Sequence, residues 1–319
     1  MNLPPEFIRT IHTTFGADGR EMLSRLPALI ELASNHWGLF DVQPVPNLSY
    51  NFVAFAKRGR DDVVLKIGVP RDELSSETAA LTLFNGDGAC RLLESDGEHG
   101  TSLLERLHPG TMLSELEDDD ERTHIAIDVM QKLWRSIESG GSPLAREQVP
   151  AFRTFIKLSD WFDGLKKLRP RFNGGTGPFP KEILERVEAL LPELFADTDI
   201  RLMHGDFHHY NVLSSERGWL AIDPKGVIGP VGYEIGPLML NPWMKPMDRS
   251  RFEVQTKRRV DIIHERLGWA RERILQWSLA HAVLSAWWDV EDGMDWEYPL
   301  QCAKVFFEIM NTRPVLKTE

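Results

Sequence analysis

Ten residues, His204-Gly205-Asp206-Phe207-His208-His209-Tyr210-Asn211-Val212-Leu213, restrict this chain more than any other stretch; twelve residues past Asn211 comes Ile222-Asp223-Pro224-Lys225-Gly226. Asp206 can take or orient the proton of a nucleophilic hydroxyl, and Asn211 and Asp223 offer hard oxygen ligands to Mg2+ on nucleotide phosphates. Three acceptor side chains at these intervals are what a phosphoryl-transfer site requires. Any fold for the chain must place them on a loop and on the short strand-like runs that flank it, Val212-Leu213 and Trp219-Leu220-Ala221-Ile222. No other strand-like material is evident after residue 107.

The remaining sequence is consistent with such a site. With 319 residues the chain has room for one large domain or two lobes, each with its own core. There is no apolar run of membrane-spanning length, and Met1-Asn2-Leu3-Pro4-Pro5-Glu6 lacks the profile of a signal peptide, so a cytoplasmic location is expected and no membrane partner. Cys90 and Cys302 are too far apart for a disulfide framework or a clustered zinc site, and read as buried thiols. A formal net charge of -11 argues against nucleic-acid binding, which needs a basic surface, and an acidic cleft would favour a cationic small molecule. The run Glu117-Asp118-Asp119-Asp120-Glu121, taken by itself, reads equally well as a device for solubility.

Periodicity divides the chain. Asp18-Gly19-Arg20-Glu21 places an N-cap residue before an acid, and Leu23, Leu26, Leu29, Ile30, Leu32 and Ala33 follow at helical intervals. They predict a helix to about Trp37, ended by Gly38 and interrupted near Pro27. Strand-like runs over 50–56 and 62–67 flank the turn-like Lys57-Arg58-Gly59-Arg60 and predict a hairpin. Residues 74–84 read as a helix, and 89–93 and 102–107 as two further strands. The result is a small amino-terminal sheet lobe over 1–107. Beyond His108-Pro109-Gly110, helical patterns near 119–139, 152–168, 181–195, 250–267, 271–291 and 298–311 make a helical lobe over 108–319. Gly140-Gly141-Ser142-Pro143 and Asn173-Gly174-Gly175-Thr176-Gly177-Pro178 read as loops within it.

Lys66 ends the second strand of the hairpin, and Glu77 lies eleven residues on, inside a predicted helix. A lysine in an apolar strand is costly to bury unless it pairs with a carboxylate and reaches phosphates. Alone, the pair is as compatible with two surface charges. In order ahead of Asp206, Asn211 and Asp223 it gains force, and the five-residue step from Asp206 to Asn211 matches the catalytic loop of kinases.

With these residues the chain resembles the protein-kinase-like fold, an α+β bilobal architecture with a small antiparallel-sheet N-lobe and a mainly helical C-lobe. The segments 84–96, Leu103-Leu104-Glu105-Arg106-Leu107-His108-Pro109-Gly110 and Ile222-Asp223-Pro224-Lys225-Gly226 look like the aminoglycoside and hydroxyurea antibiotic resistance kinases, the family that contains streptomycin 6-phosphotransferases. The resemblance implies transfer of the γ-phosphate of ATP, or GTP, with Mg2+, to a hydroxyl of a small polar acceptor, most plainly an aminoglycoside. It makes Asp206 the catalytic base or hydroxyl-orienting group, Asn211 and Asp223 the magnesium ligands, and Lys66, held by Glu77, the partner of the α- and β-phosphates. Backbone groups of Glu105 and Leu107 would meet the adenine edge, Val64, Leu213 and Ile222 would sandwich the base, and His204 would brace the loop.

The chain departs from protein kinases in three ways. No glycine-rich loop precedes Lys66, so phosphate contacts there fall to Ser49, Asn51 and backbone N–H groups. Pro-Lys-Gly follows Asp223 in place of Phe-Gly, and no long activation segment follows, which argues against a protein substrate. Glu234 is expected beneath the catalytic loop. Asp160, Asp163, Asp289, Glu291, Asp292 and Asp295 are the first place to look for groups that hold a cationic acceptor, although each alone reads as a solvated carboxylate. Most of Trp243, Trp269, Trp277, Trp287, Trp288 and Trp296 read as helix packing, with one or two free to wall the acceptor pocket. Two other functions fit the pattern: a metabolic kinase for a sugar, amino alcohol or amino acid, and a nucleotide-binding pseudokinase. The second is disfavoured because all five catalytic-type groups are present.

Overall fold

The computed structural model describes residues 3–136 and 155–312, and the chain forms two compact units. Of the described residues, the first unit holds 3–111, 155–156 and 214–226, and the second holds 112–136, 157–213 and 227–312. The loop expected at 140–143, the end of the helix expected at 119–139 and the start of that at 152–168 lie outside the described residues.

The first unit is built on α1 (Pro5–Trp37), β1 (Leu39–Pro44), β2 (Phe52–Arg58), β3 (Asp61–Ile67), α2 (Asp72–Phe84), β4 (Leu92–Asp96) and β5 (Thr101–Glu105). The strands form one antiparallel sheet in the order β1-β2-β3-β5-β4. Alternation along β2, β3 and β5 turns Phe52, Ala54, Ala56, Val63, Leu65, Ile67 and Leu103 into one core with Phe7, Ile11, Leu26 and Leu29 of α1. Each large apolar side chain buried there contributes roughly 1.5–3 kcal/mol. The same period of two puts Val64 and Lys66 on the opposite face, where Lys66 lies across from Val53 on one side and Ser102 on the other.

Helix α1 corrects the expectation at its amino-terminal end. It starts at Pro5, and Asp18, read as an N-cap, lies inside it and pairs with Arg71 at 2.8 Å. The backbone breaks at Gly16 (φ 56°, ψ -122°), a conformation open to glycine without strain, while Pro27 stays in helical backbone. Gly38, in the left-handed conformation, ends the helix as expected.

In the second unit the helices Asp119–Leu133, Lys181–Phe195, Arg249–Leu267, Arg271–Asp292 and Glu297–Asn311 fall close to their expected places. The acidic run is structural: Asp118 accepts the N–H groups of Asp120 and Glu121 as an N-cap, Asp119 bonds Arg122 and Arg259, and Asp120 bonds Arg258. The segment expected as one helix over 152–168 is divided into Leu158–Asp163, Gly164–Lys167 and Leu168–Arg171. Strand material is also more widespread than the motif flanks. Ile200–Met203 pairs antiparallel with Val227–Pro230, Met203 opposite Val227, and Arg135–Ser136 pairs with its other edge. Four residues with a central arginine are too short for alternation to register, yet this strand delivers the chain directly into His204.

Candidate active site

The first unit assembles a chain of alternating charges. Helix α2 presents Glu73, Ser76 and Glu77, spaced i, i+3 and i+4 and so on one face, to Lys66 and to the segment Asp223-Pro224-Lys225-Gly226. Lys66 Nζ donates to Glu77 Oε1 at 2.5 Å and to Asp223 Oδ1. Lys225 Nζ lies 3.1 Å from Glu73 Oε1 and 3.6 Å from Asp223 Oδ2. Ser76 Oγ donates to the carbonyl of Gly226 at 2.7 Å, and a Cβ on Gly226 (φ 66°) would come within 2.6 Å of the Ser76 carbonyl oxygen. Asp223 itself adopts φ 58°. Burial alone would lower the Lys66 ammonium, but the carboxylates of Asp223 and Glu77 outweigh it and raise its pKa, so it stays charged.

Around this chain the other expected nucleotide groups are distributed as follows. Val64 is half-buried on the Lys66 face, Leu107 is buried, and Ile222 is half-buried beside Asp223. Ser49 is exposed in the turn between β1 and β2. Glu105 is tied down on every side: its N–H donates to the Arg91 carbonyl at 3.0 Å, and its carboxylate accepts the Arg91 N–H at 2.9 Å and the Arg217 guanidinium. The Glu105 N–H is therefore already engaged within this unit. Leu213 belongs to the second unit, half-buried in the strand Val212–Ser215.

The second unit holds the loop 204–211. Glu234 is fully buried beneath it, and its two carboxylate oxygens accept the N–H groups of His204 at 2.7 Å and Gly205 at 2.8 Å. Burial pushes the Glu234 carboxyl up to about 8 in spite of those bonds. His204, also buried, accepts the Asp206 N–H on Nδ1 at 3.2 Å. Asn211 Nδ2 donates to the Asp206 carbonyl at 3.1 Å, which leaves the amide oxygen as the atom to offer a cation. The Asp206 carboxylate is partly exposed, with His208 Nε2 at 3.7 Å. His209 is buried and held neutral by desolvation and by the nearby Arg259 and Arg122.

Beside Asp206 lies an aromatic group that the sequence only hinted at. Tyr233 Oη and His281 Nδ1 are 3.0 Å apart, both buried. Burial raises the Tyr233 pKa and lowers that of His281 to about 4, and the charge of Asp206 acts on both. Partly exposed Trp161 and Trp288 stand edge to face at 5.2 Å, with Trp161 also against Tyr233. Trp277 and Trp287 are core residues, and Trp269 stacks on Trp134. Of the six carboxylates singled out earlier, Asp289 feels two of the others: burial, then the charges of Asp295 and Asp292, push it up to about 7. Lys245 neutralises Asp295 at 3.0 Å, Asp163 pairs with Lys166, and Glu291 pairs with Lys167. The pairing of Glu73 with Lys225 and the part played by Ser76 escaped the sequence reading. Their only signal was the Glu73/Ser76/Glu77 spacing.

A sheet unit carrying a Lys–Glu–Asp chain, together with a helical unit carrying a braced Asp–Asn loop, defines a kinase of the protein-kinase-like fold. Solved structures agree on the fold: a choline kinase from Streptococcus pneumoniae superposes with a TM-score of 0.58 over 90% of this chain and 99% of that one at 14% identity. An aminoglycoside phosphotransferase, in complex with ADP and hygromycin B, gives 0.57 over 88% and 99% at 12% identity. The profile of the aminoglycoside/hydroxyurea antibiotic resistance kinase family matches residues 36–293, and the chain belongs to that family. Its relatives include the streptomycin 6-kinase of Streptomyces glaucescens, 29% identical over 92% of both chains, and the hydroxyurea phosphotransferase of Kitasatospora aureofaciens, 32% identical over 92% of this chain and 82% of that one. It is therefore an enzyme, a phosphotransferase with an alcohol group as acceptor, and the pseudokinase alternative falls away.

Proposed function

We propose that the chain transfers the γ-phosphate of ATP to a hydroxyl of a cationic aminoglycoside, with streptomycin the first candidate. The observation that carries the nucleotide half is the buried Lys66, charged, held by Glu77 and facing Asp223. Burying an ammonium with its carboxylate partners carries a desolvation cost, and binding phosphates gives that charge a use. Lys66 would hold the α- and β-phosphates, and Asn211 and Asp223 would be the magnesium ligands. Their hard oxygens suit that ion, and the two ammonium groups against Asp223 mark its carboxylate as a place for cations. Bound magnesium would offset charge on the phosphates.

Asp206 would orient the acceptor hydroxyl and take its proton, from a loop whose backbone is fixed by Glu234, His204 and Asn211. Trp161, Trp288 and the Asp289 group would wall and charge the acceptor side. Catalysis would then be mainly positioning and electrostatics. A phosphate added to an antibiotic hydroxyl brings bulk and negative charge that spoil its fit to its target. The test is nucleotide consumption over a panel of streptomycin, other aminoglycosides, hydroxyurea, sugars, amino alcohols and amino acids. Streptomycin-dependent turnover is expected, lost by several orders of magnitude in Asp206→Ala with ATP binding retained. Turnover on a metabolite alone would replace the acceptor, and near-normal rates in Asp206→Ala would remove its assigned role.

A further inference from the structure

The residue that the proposed reaction leaves unused is Lys225. Its backbone is anchored: Pro224 precedes it with a fixed φ, and the carbonyl of Gly226 after it accepts both Ser76 Oγ at 2.7 Å and the Ile156 N–H at 3.2 Å. Its side chain is 18% exposed and divides between two acids, Glu73 at 3.1 Å and Asp223 at 3.6 Å. Thus the two oxygens of Asp223 each face an ammonium group, Oδ1 that of Lys66 and Oδ2 that of Lys225. The two lysines differ in how firmly they are held. Lys66 is buried with a buried carboxylate, Glu77, whereas Glu73 is 54% exposed and holds Lys225 weakly.

Were Asp223 to hold a divalent cation, the Lys225 ammonium would be repelled from that carboxylate, and the strongest anions open to its flexible four-carbon stem would be the nucleotide phosphates. We propose that Lys225 is a second phosphate-binding lysine, handed from Asp223 to the terminal phosphates of the metal–nucleotide complex. Its ammonium would bind phosphates where no glycine-rich loop precedes Lys66 to offer backbone N–H groups. Glu73 sets the resting position of the ammonium and competes with the phosphates for it. This rests on the reading of Lys66 and Asp223 as the nucleotide site.

The experiment is calorimetric titration of the full-length protein with MgATP, MgADP and AMP, for wild type, Lys225→Met, Lys225→Arg, Glu73→Gln and Lys66→Met. Circular dichroism melts would check folding, and Lys225→Gln would replace Lys225→Met if the latter does not fold. Lys225→Met should weaken MgATP about tenfold or more and leave AMP unchanged, because AMP lacks the terminal phosphates. Lys225→Arg should recover most of the loss. Glu73→Gln separates this role from a structural strut: a strut is broken equally from either end, whereas a competitor removed leaves MgATP binding unchanged or tighter. Equal losses in Lys225→Met and Glu73→Gln, or an unchanged MgATP affinity in Lys225→Met while Lys66→Met is impaired, would overturn the proposal. An unchanged affinity in Lys66→Met would instead remove the nucleotide-site reading beneath it.

Discussion

Glu234 has both carboxylate oxygens turned onto backbone N–H groups of the loop that carries Asp206. Glutamine in its place keeps the shape but sets an NH2 against one of those donors, at a cost of about 1–3 kcal/mol for a buried polar group left unpaired. Because the strain falls on His204 or Gly205, the expected result for Glu234→Gln is a fall in kcat of at least tenfold with the KM for ATP little changed. Steady-state kinetics would check this, and a rise in KM alone would assign Glu234 to nucleotide binding. Asp289 makes a different prediction. Its folded pKa of about 7 lies above the ordinary 3.8, so between those values the folded chain binds the extra proton. Stability from this group therefore falls as pH rises from about 4 to about 7 and is level beyond. Asp289→Asn should remove that fall and gain stability at pH 8 relative to wild type, read from urea midpoints at a series of pH values; an equal slope in both proteins would contradict the assignment.

At the scale of the element, α1 depends on one backbone angle pair. Any side chain at Gly16 would be strained at φ 56°, ψ -122°, costing about 1–3 kcal/mol. Just after the break, a Cβ on Gly19 would meet the Ile11 carbonyl oxygen at 2.4 Å, so the two halves of the helix are in close contact. Gly16→Ala should lower the unfolding free energy by that much, read from urea melts, whereas the control Gly97→Ala, with open space around its Cβ, should change it little. Neither glycine announced itself in the sequence. The helix from Gly38 backwards was legible because Leu26, Leu29 and Ala33 keep a strong period, but Phe7 and Ile11 stand among threonines and histidine, where the period is faint. The site shows the same division. Lys66 and Glu77 were readable from a strand ending in a charge and a helix following it, while nothing singled out Glu73, and Lys225 stood out only as part of the run Asp223-Pro224-Lys225-Gly226. Their pairing depends on a contact about 150 residues apart in sequence, and spacing rules do not reach that far. Ile200–Met203 was missed because four residues carry too little alternation.

For the whole molecule, the formal net charge of -11 would act on the two proposed substrates with opposite signs. It would attract a cationic aminoglycoside and repel ATP, and Lys66 and Lys225, in the roles proposed for them, would reverse the second effect only at short range. Exposed charges act over roughly a Debye length, about 8 Å at physiological ionic strength and about 30 Å at 0.01 M. Raising salt between those limits should therefore lower kcat/KM for streptomycin by about tenfold if capture of the acceptor is assisted by the acidic surface. Hydroxyurea, which is neutral, serves as the internal control: its kcat/KM, if it is turned over, should vary little over the same range. For ATP at saturating acceptor the slope should be flat or upward, since screening removes the long-range repulsion. A streptomycin profile as flat as that of hydroxyurea would confine acceptor recognition to short-range contacts, with the overall charge serving solubility alone. A fall for both acceptors would point to salt acting on the enzyme itself, which the melting temperature at each salt concentration would reveal.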